Sequence, residues 1–276
     1  MTLLQHLRAP VDPLIWAQSQ QQLQAKSYLD SQTANGSAQQ LRQWLNNSLT
    51  DQPSDFTHWQ YFQQQLLSRT QLTISLLSPQ PQALFEPLSQ ALNQLPQTAD
   101  WPHSTATKLP PQHQLRTGLA DYQLWIGRQT IGRNHQGFAP LQLAVRQLQD
   151  LAATLNIHSS WRPGANDSQL LLNANAASAI DLQMLLSGID QQLQTSEDEH
   201  LDGIRQQMID SLYQISQNSV LFFEQLETIA FYRHPPDYLQ QFLDSVEQQT
   251  IEQQRQQIKA LLDSRQYHWV LQTPAS

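Results

Sequence analysis

Apolar residues recur at every third or fourth position through most of this chain, and this spacing constrains the fold more than any other feature. In the segment 38–49, for example, Leu41, Trp44, Leu45 and Leu49 fall on or near one helical face, with polar residues between them. A helix with one apolar stripe must bury it against other helices or a sheet. The pattern therefore predicts a largely helical protein with a packed core.

The polar positions of this pattern are filled mainly by Gln, which forms clusters such as 20–22 and 63–65. Gln is a good helix former, so the composition favours helices with neutral, wet faces. A disordered Gln-rich chain is the alternative. Regular insertion of Leu, Ile, Phe and Trp argues against disorder, as do the seven Trp residues, which are useful mainly to a chain with a core to fill.

A second, two-residue period interrupts the helical spacing at a few places. Leu72, Ile74 and Leu76 alternate with polar residues, which predicts a strand over 71–77 with one buried face. Further strands are predicted at 121–131 and 267–271, and a hairpin at 157–161 and 169–175. Helices are predicted at 13–30, 38–49, from 54 to about 68, and at 83–95, 140–155, 180–194, 200–232, 237–246 and 250–262. The fold class is therefore α+β.

Residues 96–113 contain Pro96, Pro102, Pro110 and Pro111 among polar residues and show no periodicity. Such a segment reads as an extended linker and is the best domain boundary in the sequence. Helices followed by a strand occur both before Leu77 and before Leu271. This loose echo suggests two copies of one α+β unit, the first of them cut short.

The charge balance and composition exclude several classes of function. The net charge is −8 and the pI is near 5.5, so the surface repels phosphate backbones and nucleic acid is not an expected partner. The chain has no Cys, which excludes disulfides, thiolate catalysis and Cys-ligated zinc. No apolar run approaches the ~20 residues of a membrane span. The compartment is periplasmic or cytoplasmic, with a lean toward the periplasm, and residues 1–10 lack a signal-peptide pattern.

The nine His residues invite a search for metal-binding motifs. Neither H-E-x-x-H nor H-x-x-E-H occurs, and the nearest approach is S-E-D-E-H at 196–200, in which Ser196 takes the place of the first ligand. Zinc sites usually need three or more protein ligands, and His200 has no partner ligand on its own turn. The acidic residues of this segment instead suit the start of a helix.

Other reactive constellations find little support in the sequence. There is no G-x-S-x-G elbow, and the glycines at 127, 132 and 137 are too widely spaced for a phosphate loop. The segment 162–167 is interpreted as a hairpin turn rather than an anion site. Tyr232-Arg233-His234 is interpreted as the cationic end of a helix rather than a functional group. His58 and His268, each beside a Trp, are interpreted as packing residues.

The C-terminal quarter carries a recognisable order of motifs. Residues 205–212 read R-Q-Q-M-I-D-S-L within the predicted long helix, and residues 231–239 read F-Y-R-H-P-P-D-Y-L. A short helix, Thr250-Ile251-Glu252 and a final strand follow. This order resembles the end of a lobe in the pitrilysin/insulinase family, the inverted zincin metallopeptidases. The strand at 72–77 and helix at 83–96 resemble the end of the preceding lobe, so the resemblance covers most of the chain.

The resemblance implies a division of the chain and a set of roles. Residues 1–95 would be the back half of one peptidase-like lobe, 96–113 a linker, and 114–276 a second lobe. In active members the zinc-binding H-x-x-E-H lies in the first lobe, so zinc is expected in a partner catalytic half. A later lobe supplies a substrate-binding Arg and Tyr in a pattern like L-R-x-x-x-x-L-G-Y. Here 145–153 read V-R-Q-L-Q-D-L-A-A, so Arg146 matches the Arg, while Ala152 and Ala153 replace Gly and Tyr.

Two functions follow as hypotheses. The first is a non-catalytic lobe region of a zinc metallopeptidase that encloses and binds a peptide or protein substrate, with a catalytic lobe in cis or as a separate subunit. Arg146 would contact substrate, although its spacing alone favours a solvated helix residue, and the edge at 169–175 would accept an extended peptide. The second is a free-standing helical interaction module. A peptidase-like chain that needs a complement should expose an unpaired sheet edge or an apolar patch. An enzyme with an unrecognised carboxylate site has the least support.

Overall fold

The chain divides into two compact units, one formed by 1–30 with 50–106 and the other by 31–49 with 107–276. A computed structural model describes most of the second unit and less of the first. The described residues are 12–31, 35–45, 56, 57, 60, 73, 74, 76, 78–95, 97, 110–119 and 122–274. The predicted helix ending at about 68 and the linker 96–113 lie mostly outside them, and the division into 1–95, 96–113 and 114–276 remains a prediction.

The second unit is built on one five-stranded sheet, and the predicted α+β class is confirmed. Its strands are β1 (His113–Leu119), β2 (Tyr122–Ile131), β3 (His158–Arg162), β4 (Asp167–Ala176) and β5 (His268–Pro274). Their order across the sheet is β1-β5-β2-β4-β3, with only β1 and β5 parallel. The sequence analysis missed β1 because the first residue of this strand falls in the predicted linker.

Five helices accompany the sheet in the C-terminal part of this unit, and a sixth comes from the N-terminal part of the chain. They are α2 (Asn35–Leu45), α4 (Phe138–Thr154), α5 (Leu182–Thr195), α6 (Asp198–Gln217), α8 (Tyr238–Glu247) and α9 (Ile251–Leu261). The main core lies where α4, α5, α6 and α9 cover one sheet face, with Ile126, Leu148, Ile189 and Ile258 fully buried. The other face is covered by α2, whose Leu41 and Leu45 bury Leu171 and Val270.

Capping side chains fix several helix boundaries. Asp181 accepts from the Met184 N–H at 2.8 Å at the start of α5, and Thr250 forms the predicted cap of α9 as a capping box with Gln253. The predicted helix 200–232 is two helices, α6 and α7 (Ser219–Phe231). Asn218 separates them because its side chain accepts from the N–H groups that open α7, at 2.9 and 3.2 Å.

The described residues of the first unit contain α1 (Pro13–Ser31) and α3 (Pro81–Asn93). The prediction placed Pro87 in a first turn, but it lies inside α3, where it has no N–H to donate to the Ala83 carbonyl. The predicted strand at 71–77 is not observed at its described positions 73, 74 and 76. Large apolar residues are exposed throughout this unit: Leu14, Ile15, Leu23, Ile74, Leu76, Leu84 and Phe85.

Among the described residues, no helix combines the length and hydrophobicity that a membrane crossing requires.

Candidate functional site

Arg146 lies on the outer side of α4, away from the core. It is exposed, whereas the next residue, Gln147, is fully buried and donates to the Leu201 carbonyl at 2.9 Å and to the Gln254 side chain at 2.5 Å. Ala153 is also exposed, two helical turns after Arg146 and therefore on the same face. The two positions that the resemblance aligned with an Arg and a Tyr thus share a solvent face. A contact between Arg146 and substrate remains a prediction.

The segment 196–200 joins two helices and does not form a metal site with its surroundings. Ser196 ends α5, and Asp198 and Glu199 open α6 as the predicted acidic first turn. Asp198 accepts from Arg255 at 2.7 Å, and His200 Nε2 lies 2.7 Å from Asp150 Oδ2 on α4. Within the described part of the chain, no group of three or more His, Asp or Glu is arranged to hold a metal ion.

A cleft of about 240 Å³ lies between the loop after β2 and the start of α8. The loop residues 132–134 are fixed by the hairpin turn between β3 and β4, because their N–H groups donate to the carbonyls of Asn166, Gly164 and Ala165 at 2.8, 2.8 and 2.9 Å. Gly132 permits this approach, since a Cβ there would lie 2.4 Å from the Asn166 backbone. The turn predicted at 162–167 is therefore confirmed and also positions the cleft.

Rings surround the only Arg that lines this cleft. The Arg133 guanidinium carbon lies 5.5 Å from the ring centre of Phe138 and 5.2 Å from that of Tyr232. On the opposite wall, His234 stacks on Tyr238 with ring centres 3.8 Å apart and planes 3° from parallel. Cation–π contacts of this kind hold a guanidinium in place without neutralising it. The described lining includes no Asp or Glu: Arg133, Asn134, His135, Gln136, Phe138, Ala139, His234, Pro235, Tyr238, Gln241, Phe242 and Ser245.

The electrostatic setting of the cleft keeps its other groups neutral near pH 7. Burial lowers the pKa of His234 below 6.5, and the charge of Arg133 lowers it further. Burial raises the pKa of Tyr238 above 10.0, although Arg133 opposes that shift. The cleft therefore presents one cation beside a neutral imidazole and a phenol that remains a donor.

The sequence analysis interpreted 232–234 as a cationic helix end, and the structure shows that α7 does end there. Arg233 adopts a positive φ of 56°, and the His234 N–H donates to the Ile229 carbonyl at 2.9 Å. This turn also aims His234 at Arg133, which is distant in sequence. No local pattern signalled that meeting, so the cleft was missed.

The sheet edge beside the cleft is β3. The predicted edge, 169–175, lies within β4, which pairs with β2 on one side and with β3 on the other, so that prediction is wrong. Among the described strands, β1 and β3 are the outermost. Trp161 of β3 stacks on Phe138 of the cleft at 5.4 Å between ring centres, so the edge and the cleft meet at the end of β3.

A second, more apolar groove of about 280 Å³ lies at the start of α5. It is lined by Leu124, Asp181, Leu182, Gln183, Ser264, Trp269 and Leu271. Its single carboxylate, Asp181, already caps α5, so this groove offers a hydrophobic surface without a free polar group.

No protein-family model and no curated protein sequence matches this chain. Solved structures do match it. The inactive domain of a peptidase M16 from Pseudomonas fluorescens is similar over 96% of this chain and 71% of its own length, with a TM-score of 0.68 and 14% identity. The first half of the periplasmic protease PqqL from Escherichia coli has a TM-score of 0.55 and 12% identity over 92% of this chain and 65% of its own.

A mutant of the ferredoxin protease FusC, solved in complex with Arabidopsis ferredoxin, is similar over 96% of this chain with a TM-score of 0.60 and 13% identity. The match covers 33% of that protease, so this chain spans about a third of it. At these identities the likeness shows the fold. The chain has the fold of a non-catalytic M16 peptidase lobe, and the resemblance stated from the sequence is confirmed at that level.

Proposed function

We propose that this chain is a non-catalytic lobe region of a zinc peptidase assembly, which binds an extended segment of a peptide or protein and supports a separate catalytic half. The observation that carries the proposal is the likeness of 96% of the chain to an inactive M16 peptidase domain. In this proposal zinc belongs to the catalytic half, which joins the chain in cis or as a separate subunit.

Two surfaces support a binding role. The outermost position of β3 leaves one side of its backbone without a strand partner among the described residues, which is the geometry that accepts a peptide by β-addition. The FusC protease, of similar fold, was solved with a protein bound, which supports protein substrates as the ligand class. Arg146 on the outer face of α4 is proposed as a further substrate contact.

Exposed apolar surface supports the need for a complementary half. The described residues of the first unit expose seven large apolar side chains, and none of the residues of α3 is buried. Monomeric proteins seldom leave such surface in water without a partner.

Peptide cleavage tests the proposal. The chain is assayed with zinc on its own and mixed with a separately purified H-x-x-E-H-bearing M16 half from the same source organism. We expect cleavage by the mixture that exceeds cleavage by that half, and none by this chain on its own. Chelator-sensitive cleavage by this chain without the other half would overturn the proposal.

Peptide backbone chemistry tests the edge. Successive N–H groups of an added strand point alternately toward and away from the sheet, so N-methylation at one parity should abolish binding and at the other should not. Equal binding of both N-methylated series would exclude β-addition.

A free-standing interaction module is the second candidate, and α7 favours it. This helix is mostly apolar, yet only Ile229 is buried, while Val220, Leu221, Phe222 and Phe231 are exposed. Such a face suits a protein partner without any peptidase role. If Phe222→Ser abolishes association with every peptidase half and leaves peptide binding intact, α7 is the docking face of the assembly; stable binding of non-peptidase partners instead supports the module.

A further inference from the structure

We propose that the cleft formed by Arg133, His234 and Tyr238 is a carboxylate-binding subsite, which takes an acidic side chain or the C-terminal carboxylate of a peptide lying along β3. The proposal rests on the peptide-binding function proposed above and adds a ligand class to it.

The charge distribution around the cleft selects an anion. The chain has a net charge of −8, yet the described lining of the cleft contains Arg133 and two His and no carboxylate. Asp237 lies nearby at the start of α8, where it accepts from the Gln241 side chain at 2.9 Å. Arg133 has ring contacts but no carboxylate partner among the described residues. An oriented guanidinium without a counter-ion is suited to bidentate recognition of a carboxylate.

Unpartnered polar atoms converge on the same place. Arg133 Nε, His234 Nε2 and Tyr238 Oη are each buried and have no hydrogen-bond partner among the described protein atoms. Native proteins rarely leave such atoms unsatisfied, because each one costs free energy. Three of them around one cleft indicate a recurrent ligand. Neutral Tyr238 and cationic Arg133 both donate, and carboxylate oxygens accept several hydrogen bonds at once.

The cleft also lies where an added peptide strand would end. β3 ends at Arg162, and Trp161 stacks on the Phe138 wall of the cleft. A second cationic pair extends the positive end of the sheet, since the pKa of Arg42 is lowered by burial and then by the charge of Arg162. A peptide on this edge would therefore carry its acidic group into positive potential as it leaves the strand.

Matched peptides test the subsite. The probes are three fluorescein-labelled peptides of β-branched sequence, differing only at the last residue and its terminus: Gln amide, Glu amide and Gln free acid. Affinity is measured by fluorescence anisotropy. We expect one or both acidic probes to bind about 10- to 100-fold tighter than the Gln amide, as charge-assisted hydrogen bonds imply. Preference for the Glu amide identifies a side-chain carboxylate, and preference for the free acid identifies a terminal one.

Variants assign the preference to the cleft. Arg133→Gln should remove the preference, Arg133→Lys should retain part of it, and Tyr238→Phe should reduce it by a few-fold, as expected for one neutral hydrogen bond. Lys259→Gln removes one exposed positive charge from α9 and is the matched control, which should retain the full preference. Circular dichroism checks that each variant is folded. Equal affinity for all three probes, or a preference that survives Arg133→Gln in the folded variant, overturns the proposal.

A small anion separates this subsite from the peptide-binding function. Acetate is titrated into the whole protein while the ring signals of His234 are followed by NMR. Shifts in the wild type that vanish in Arg133→Gln would support the carboxylate site even if no peptide binds. Peptide binding without acidic preference and without acetate shifts would retain the proposed function and exclude the subsite.

Discussion

The two faces of the sheet bury side chains in different ways. On the face covered by α4, α5, α6 and α9, the strands contribute Leu124, Ile126, Leu170 and Leu172, all fully buried in one continuous cluster. On the face covered by α2, the same strands contribute Leu171 and Val270 among polar residues. Those polar residues make hydrogen bonds to α2: Gln129 donates to the Leu45 carbonyl, and Gln272 donates to Ser37 at 2.6 Å.

This difference teaches where cooperativity resides. The helix-rich face is a core whose members are shared by four helices, so loss of one contact affects all of them. The α2 face is a dock for one short helix, which brings its own partial hydrogen bonding and can separate locally. Helices of this length have little stability of their own in water. The predictions below break or sharpen this contrast.

The largest expected effect comes from a cavity in the helix-rich face. Leu148 of α4 is fully buried, so Leu148→Ala should lower the free energy of unfolding by about 3–5 kcal/mol. Urea unfolding followed by circular dichroism measures the loss.

Leu41→Ala removes an equally buried Leu from α2 and is the matched comparison. Because α2 can separate by itself, the loss of global stability cannot exceed the docking free energy of this helix. We expect about 1–2 kcal/mol, with hydrogen-exchange protection lost first in 35–45. Equal global losses for the two variants would show that both faces belong to one cooperative core.

A buried cation gives the next largest effect. Arg128 lies on the helix-rich face, donates to the carbonyls of Ala260 and Leu261 at 2.9 Å each, and bonds Gln266. It thereby caps the C-terminal end of α9. Arg128→Met should cost about 2–3 kcal/mol in the free energy of unfolding, because carbonyls are left unpaired. Arg128→Lys retains the charge without the planar fork and should fall between. A loss no larger for Met than for Lys would argue against this capping role.

Acid should weaken the α2 face through His268. This ring is buried beside Trp44 and accepts the Gln112 N–H on Nδ1 at 3.0 Å, and burial lowers its pKa below 6.5. The unfolded chain then binds more protons, so stability is complete above about pH 6.5 and falls as the pH drops through the folded pKa. Urea unfolding between pH 7.5 and 5 measures the slope.

His268→Gln removes this titration and should flatten the slope. The variant should keep a remaining decline, because the pKa of His234 is lowered as well. An unchanged slope would assign the acid sensitivity to groups other than His268.

The predicted elements that proved correct carry their signal locally. The hairpin was marked by the turn formers at 162–167, and the start of α9 by Thr250 with Gln253, because turns and caps depend on neighbouring residues. The α4 stripe was read correctly from its apolar spacing. Gln147 was not recognised as buried because its partners, Leu201 and Gln254, come from other helices.

The missed features depend on contacts between distant segments. β1 alternates weakly, and its place is set by parallel pairing with β5 at the other end of the domain, which no local pattern encodes. The cleft is made by Arg133 from one loop and His234 from another. A sequence shows that each residue is polar but not that they meet.

Arg146 should have the smallest effect on stability, since it contributes to neither face of the sheet. Arg146→Ala removes an exposed side chain and should change the free energy of unfolding by less than about 0.5 kcal/mol. If Arg146 contacts substrate as proposed, peptide affinity should still fall, by about tenfold for one charge-assisted hydrogen bond. Ala153→Tyr, on the same exposed face, adds the aromatic group that the resemblance places there and should raise affinity. Unchanged affinity in both variants would mean that Arg146 is a solvated helix residue and that peptide binding depends on the β3 edge.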